Sequence, residues 1–209
     1  AIVALAEQYA HGNHMQESAA VAISYYKAAA AMGEWGATPR RGFDRYLARD
    51  YSGAALEYLE AFHLGQEAGA SNAAYLLDRK LASWVEITGA ASPSASSLLA
   101  SATEEQALSL PAPEEWAALQ PVVARTLYQF SYDHGASDVA LALGDYHFFG
   151  TGGARANVQV AMGLYAIAAG NGNAQAAYNL GYLYEQGVGL AHPDDARALL
   201  YYQKVMELS

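Results

Sequence analysis

His11 and His14 stand three residues apart and resemble half of a metal site. No third ligand lies near them in the sequence, and both fall in the turn after the helix that ends near Gly12. Asp145 and His147, in GDYHFF, invite comparison with an acid–base dyad, yet residues two apart project from different sides of a helix. His147 also occupies a position held elsewhere by Tyr9 and Tyr184, which reads as a packing site rather than a base. The run GTGGAR at 150–155 has the glycines of a phosphate cradle, but it lacks the Gly-Lys-Ser/Thr ending and follows no strand. Neither a Gly-x-Ser-x-Gly elbow nor a His-Glu-x-x-His pair occurs. The acidic pairs at 104–105 and 114–115 fall in a Ser/Ala/Pro-rich stretch and read as solvated charge. No catalytic residue, metal site or cofactor is expected, and Asn-x-Ser/Thr is absent.

Composition narrows the classes further. The 209 residues carry a formal charge of −10, with 15% charged and 53% apolar residues and 16 tyrosines. A chain this acidic lacks the clustered Lys and Arg that nucleic acid demands, and it is ill suited to an anionic membrane surface. With no cysteine, disulfides and thiolate chemistry are ruled out. No apolar run approaches the roughly 20 residues of a membrane span. Ala1–Ala10 has neither basic flanks nor an initiator Met, so an excised segment is expected.

The elements that must carry these residues are legible from a repeat. LGDYHFFGTG at 143–152 and LGYLYEQGVG at 180–189 share Leu-Gly at the start and glycines at the eighth and tenth positions, 37 residues apart. The register continues, with Ala161 against Ala198 and Tyr165 against Tyr202. The pattern Ala, Tyr four later, and Gly seven after the Tyr recurs at Ala22–Gly33, Ala54–Gly65, Ala124–Gly135 and Ala161–Gly172. Positions i, i+4 and i+7 share one helix face, where small residues admit a neighbouring helix and Tyr or Leu fills the gap beside it. The closing glycine suits a left-handed cap. Leu143, Gly144, Gly150, Tyr165, Leu180, Gly181, Tyr184, Gly187 and Tyr202 are therefore structural repeat positions.

The expected fold is all-α, a single solenoid over 1–209 of about five helix pairs, with units near 1–33, 36–65, 66–135, 137–172 and 174–209. Their expected helices are 1–11 with 17–32, a degenerate 39–48 with 52–64, 66–79 with 117–134, 137–149 with 158–169, and 174–186 with 194–208. An irregular insertion is expected near 85–116, with one helical turn near 103–108.

LGYLYEQGVG followed by Ala198 and Tyr202 resembles the Sel-1-like repeat, a relative of the tetratricopeptide repeat. GDYHFFGTG, AAYNLGYLYEQGVG (176–189), SNAAYLLD (71–78), ARDYSGAA (48–55) and LAEQYAHG (5–12) resemble the members of that family that serve the Hrd ubiquitin-ligase complex. The stretch 85–120 departs from them. The resemblance implies a right-handed α/α superhelix in the endoplasmic-reticulum lumen, as part of a membrane-anchored protein. It implies a non-enzymatic adaptor of ER-associated degradation, whose partners are a ubiquitin-ligase subunit, a lectin-type recognition factor and misfolded clients. This segment itself is expected to contact neither nucleic acid nor membrane. A Sel-1-like scaffold of another signalling or bacterial setting, and an all-helical hydrolase, are the alternatives.

Recognition is expected at positions outside the packing pattern: Asp145, Phe148, Phe149, Tyr182, Glu185 and Tyr201. Aromatic residues there either bind a partner or pack on the next repeat, and the sequence leaves both open. Tyr201, Met206 and Leu208 read as apolar positions that another repeat or partner covers.

Overall fold

The computed structural model describes residues 8–11, 18–32, 34–83, 87 and 113–208. Among these residues the only regular elements are helices. They are α1 (Ala19–Met32), α2 (Glu34–Leu47), α3 (Tyr51–His63), α4 (Glu67–Asp78), α5 (Pro113–Asp133), α6 (Ala140–Phe149), α7 (Val158–Gly170), α8 (Ala174–Gln186) and α9 (Asp195–Leu208). A single 3₁₀ turn, Ser137–Val139, leads into α6. Residues 8–11 are helical and set Tyr9 in a stack on Tyr25, 5.6 Å between ring centroids.

Each helix packs chiefly on its neighbour in sequence. The short connections from α2 to α3, α3 to α4, α7 to α8 and α8 to α9 make those neighbours antiparallel. The polar ends are satisfied locally. Asp50, Asn157, Asn173 and Asp194 accept the backbone N–H of Gly53, Val160, Ala176 and Arg197 through their side chains. Gly150 and Gly187 end α6 and α8 in the left-handed region, at φ +67° and +66°. The two turns then match bond for bond. The N–H of Asn157 donates to His147 O at 2.7 Å, and that of Asp194 to Tyr184 O at 2.8 Å.

The core is alanine and leucine. Ala54, Ala55, Ala61, Ala70, Ala73, Ala74, Ala124, Ala161, Ala176 and Ala177 have essentially no exposure, and Leu76, Leu77, Leu143, Leu180 and Leu183 are the large fully buried side chains. Each such leucine contributes about 1.5–3 kcal/mol relative to an exposed one, while the alanines let the backbones approach.

Two boundaries differ from expectation. α2 starts at Glu34, well before Pro39, which its helix tolerates near the first turns. α5 starts at Pro113, so 113–116 belong to a helix rather than to the irregular stretch, because proline at a first helical position gives up an N–H that has no intrahelical partner. Apart from Ile87, which is buried, the rest of that stretch, the turn near 103–108 included, and His14 lie outside the described residues.

Candidate interaction face

Helices α2, α4, α6 and α8 are the first helices of successive pairs, and three of them share one packing rule. A glycine on each of α2, α6 and α8 receives a tyrosine ring from the second helix of its pair. A Cβ on Gly144 would stand 2.5 Å from the ring of Tyr165, one on Gly181 2.7 Å from Tyr202, and one on Gly42 2.7 Å from Tyr58. Real Cβ atoms do not approach so closely, so the glycines exist to seat the rings. Tyr58 and Tyr165 are buried, as is Tyr128 of α5. Burial pushes the phenols of all three above their ordinary range.

The ring positions drive carboxylates into specific roles. Tyr165 donates its hydroxyl to Asp145 Oδ1 at 2.7 Å, and Tyr202 donates to Glu185 Oε2 at 2.7 Å. Tyr146 of α6 donates to Asp78 Oδ1 of α4, also at 2.7 Å, and ties two pairs together. The bond to Glu185, more than burial, pushes the Tyr202 phenol up to about 12. Burial raises the Asp145 carboxyl above its ordinary value, against the lowering effect of the Tyr165 hydroxyl, and the nearby charge of Asp78 adds to the rise.

The expected recognition residues are thus of two kinds. Phe149 and Tyr182 are exposed, as expected of residues free to bind. Asp145 and Glu185 face tyrosine hydroxyls within their own pairs, so they are bound to the repeat scaffold. Phe148 is half-buried against the core, with its ring edge-to-face on Phe149 at 5.0 Å. Tyr201 is half-buried and stacks on Tyr184 at 5.6 Å and 7°. Among the structural positions, Leu143, Gly144, Tyr165, Leu180 and Gly181 are buried, while Gly150, Tyr184, Gly187 and Tyr202 are half-buried.

A larger surface emerges than those residues describe. Phe43 of α2, Tyr75 of α4, Phe149 of α6 and Tyr178 and Tyr182 of α8 are 43–67% exposed. Clefts lie between consecutive first helices, three of them lined by these aromatic residues and second-helix tyrosines. Phe43, Tyr46 and Tyr75 line one of about 220 Å³. Tyr75, Asp78, Arg79, Asp138 and Asp145 line one of about 340 Å³. Asp145, Phe149, Tyr178 and Tyr182 line one of about 140 Å³. Tyr58, Tyr128 and Tyr165 form part of the walls of these three clefts in turn. Arg79 stacks its guanidinium 5.9 Å from the Tyr75 ring centroid. Phe43, Tyr75 and Tyr178 escaped the sequence reading. Phe43 and Tyr182 each directly follow the seat glycine of their helix, Tyr75 follows the buried Ala74, and that offset was the available signal.

Chemically the face offers aromatic surface, carboxylates and shallow clefts. His11 is exposed at the end of its helical segment and His147 is half-buried. Among the described residues no three His, Cys, Asp or Glu side chains are grouped to hold a metal ion. No described helix is long and apolar enough to cross a membrane. The run 150–155 forms the turn after α6, and Arg125 of α5 donates to Gly152 O at 2.6 Å to hold it in place.

The Sel1 repeat family matches residues 1–34, 137–173 and 174–204. Protein sel-1 homolog 2 of Homo sapiens is 27% identical over 174 residues, covering 83% of this chain and 21% of the relative. The ERAD-associated E3 ubiquitin-protein ligase component HRD3A of Arabidopsis thaliana is 29% identical over 160 residues, covering 76% of this chain and 20% of the relative. The chain therefore spans about a fifth of the length of these curated relatives. A crystal structure of a Sel1 repeat protein from Oxalobacter formigenes matches the fold with a TM-score of 0.54 at 19% identity, covering 99% of this chain and 71% of that one.

Proposed function

We propose that this chain, a Sel1-repeat protein, is a non-catalytic scaffold that docks other proteins along the face of α2, α4, α6 and α8, in the setting of ER-associated degradation. The observation that carries the docking surface is the row of exposed aromatic side chains on successive first helices, with a cleft between each pair of them. Aromatic anchors beside pockets supply most of the energy of protein interfaces. The carboxylates of Asp78, Asp138 and Asp145 around the middle cleft suit a segment that carries Lys or Arg beside apolar side chains.

The setting draws on the similarity to sel-1 homolog 2 and to HRD3A. In this reading the protein works in the lumen of the endoplasmic reticulum, within a membrane-anchored whole. It links misfolded glycoproteins and their lectin-type recognition factors to a membrane-embedded ubiquitin ligase. It contributes shape and spacing, and the ligase contributes the chemistry.

The test is capture of the lumenal part of an Hrd-type ligase complex by this chain. Tyr182→Ala with Phe149→Ala removes two exposed anchors and is expected to weaken capture at least about tenfold. Val160→Ala with Ile167→Ala, on the outer stripe of α7, is expected to leave it unchanged. Capture that survives the first pair and is lost with the second would place the surface elsewhere. No capture by the unaltered chain would remove the ERAD setting and leave a Sel1-repeat scaffold of another pathway.

A further inference from the structure

The middle of the aromatic face breaks its own pattern. Ala74, Gly144 and Gly181 are equivalent in α4, α6 and α8, and the next position carries Tyr75, Asp145 and Tyr182. A carboxylate thus stands on α6 where its neighbours carry an aromatic ring. The fourth position on carries Asp78, Phe148 and Glu185. Glu185 accepts the hydroxyl of Tyr202, the tyrosine of its own pair. Asp78 accepts instead from Tyr146 of the next pair. Tyr128, the tyrosine of Asp78's own pair, is left over.

Tyr128 is 5% exposed and lines the cleft between α4 and α6, yet among the described residues its hydroxyl has no hydrogen-bond partner. Tyr58 is as buried and also lacks one, but no carboxylate lines its cleft. Around Tyr128 stand Asp78, Asp138 and Asp145. Burial first, and then the charges of Asp78 and Asp138, hold its phenol up, against the lowering effect of Arg79. Among the described residues none of these three carboxylates has a Lys or Arg within ion-pair distance. Partly buried charge without a counter-ion is costly. The cation among the lining residues is Arg79, which is exposed and rests its guanidinium on the Tyr75 ring. Residues 84–112 contain neither Lys nor Arg, so that stretch of the chain supplies no counter-ion.

We infer that the cleft between α4 and α6 is a socket for an arginine side chain of a partner protein, which takes the place of Arg79 on the Tyr75 ring. The fork of N–H donors on a guanidinium matches the open carboxylate lone pairs and the Tyr128 oxygen, and its plane suits the ring. An ammonium offers neither plane nor fork. Arg79 already shows that a guanidinium fits the ring, and without an ion pair it swings out to solvent at small cost. Asp145 also lines the cleft between α6 and α8, beside Phe149, Tyr178 and Tyr182, so an apolar side chain next to the arginine has its own place. The inference deepens the docking reading above and rests on it.

The experiment selects random displayed heptapeptides against this chain and measures the enriched ones by fluorescence anisotropy. They are expected to carry arginine beside a large apolar residue. Citrulline in place of that arginine keeps its shape, removes its charge and should weaken binding at least about tenfold. Tyr128→Phe should weaken it about threefold to tenfold and move the thermal midpoint by no more than about 1 °C, because the hydroxyl has no partner in the free chain. Arg79→Gln, which clears the ring, should tighten binding about threefold. Peptides that bind equally well with citrulline, yet are lost with Phe149→Ala and Tyr182→Ala, would overturn the socket and leave the docking face standing. A Tyr128→Phe variant that melts several degrees lower would also overturn it, since the hydroxyl would then serve the fold. So would weaker binding by Arg79→Gln, which would make Arg79 a contact rather than the side chain displaced. Enrichment of no peptide that depends on either cleft would overturn both readings.

Discussion

The pairs α2–α3 and α6–α7 solve one packing problem with different polar chemistry. Both seat a buried tyrosine on a glycine, Tyr58 on Gly42 and Tyr165 on Gly144. Around Tyr165 the polar partners are a half-buried carboxylate, Asp145, and the Asn179 side chain. Beside Tyr58 runs an exposed ionic network instead. Arg41 Nε meets Glu57 Oε2 at 2.8 Å, and Arg45 meets Asp50 Oδ2 at 2.6 Å and Glu57 Oε1 at 3.3 Å. The ring-on-glycine contact is thus the fixed part of the design and the polar dressing is the variable part. The two dressings also respond to pH with opposite sign.

The largest expected effect tests the shared part. Gly144→Ala and Gly42→Ala should each destabilise by about 2–3 kcal/mol, because a buried ring has nowhere to go. Gly181→Ala should cost about 1 kcal/mol or less, since the half-buried Tyr202 can swing outward and alanine favours the helix. Denaturant titration of the three variants checks this. Equal losses at all three sites would break the claim that burial of the ring sets the cost.

Next comes the polar dressing. Tyr165→Phe leaves the half-buried Asp145 without its hydroxyl donor and should cost about 1–2 kcal/mol. Asp50→Ala removes the α3 cap and should cost about 1 kcal/mol. Tyr202→Phe, whose partner Glu185 is exposed, should cost about 0.5 kcal/mol or less. Thermal or urea unfolding distinguishes them.

The pH dependence follows from the same pair. Asp145 has its carboxyl raised by burial, so its ionised form is disfavoured in the folded chain, and this group's contribution is lost as pH rises through the raised value. Asp145→Asn keeps an acceptor for Tyr165, and its stability relative to the parent should improve as pH rises from 3 to 7. Asp50 is lowered, chiefly by the Arg45 hydrogen bond and then by the Gly53 N–H. Its contribution is present above the ordinary value and is lost as pH falls, so Asp50→Asn should lose its disadvantage in acid. Solvent screening at this half-exposed site keeps the change small. Unfolding curves across that range check both signs. The smallest effect is Arg41→Ala, expected within about 0.5 kcal/mol.

Helices and turns were legible where apolar spacing and glycine coincide, as in α6 to α9. The seat at Gly42 was not, although its tyrosine was. Between Gly144 and Tyr165, and between Gly181 and Tyr202, the interval is 21 residues; between Gly42 and Tyr58 the short turn at 48–50 reduces it to 16. α2 is also rich in arginine and low in mean hydropathy, although its apolar and charged residues segregate to opposite faces. At the face, Phe149 and Tyr182 were readable as outward residues. Asp145 and Glu185 were not separable from them, because a carboxylate that accepts a tyrosine hydroxyl looks like a solvated one until the partner helix is in place.

Oxidative footprinting of this chain bound to the lumenal part of an Hrd-type ligase complex tests the docking face most directly. The account predicts protection of Tyr75, Phe149, Tyr178 and Tyr182, with Ile167 and Leu200 labelled as in the free chain. Protection of Ile167 and Leu200 with the four aromatic residues still open would contradict it.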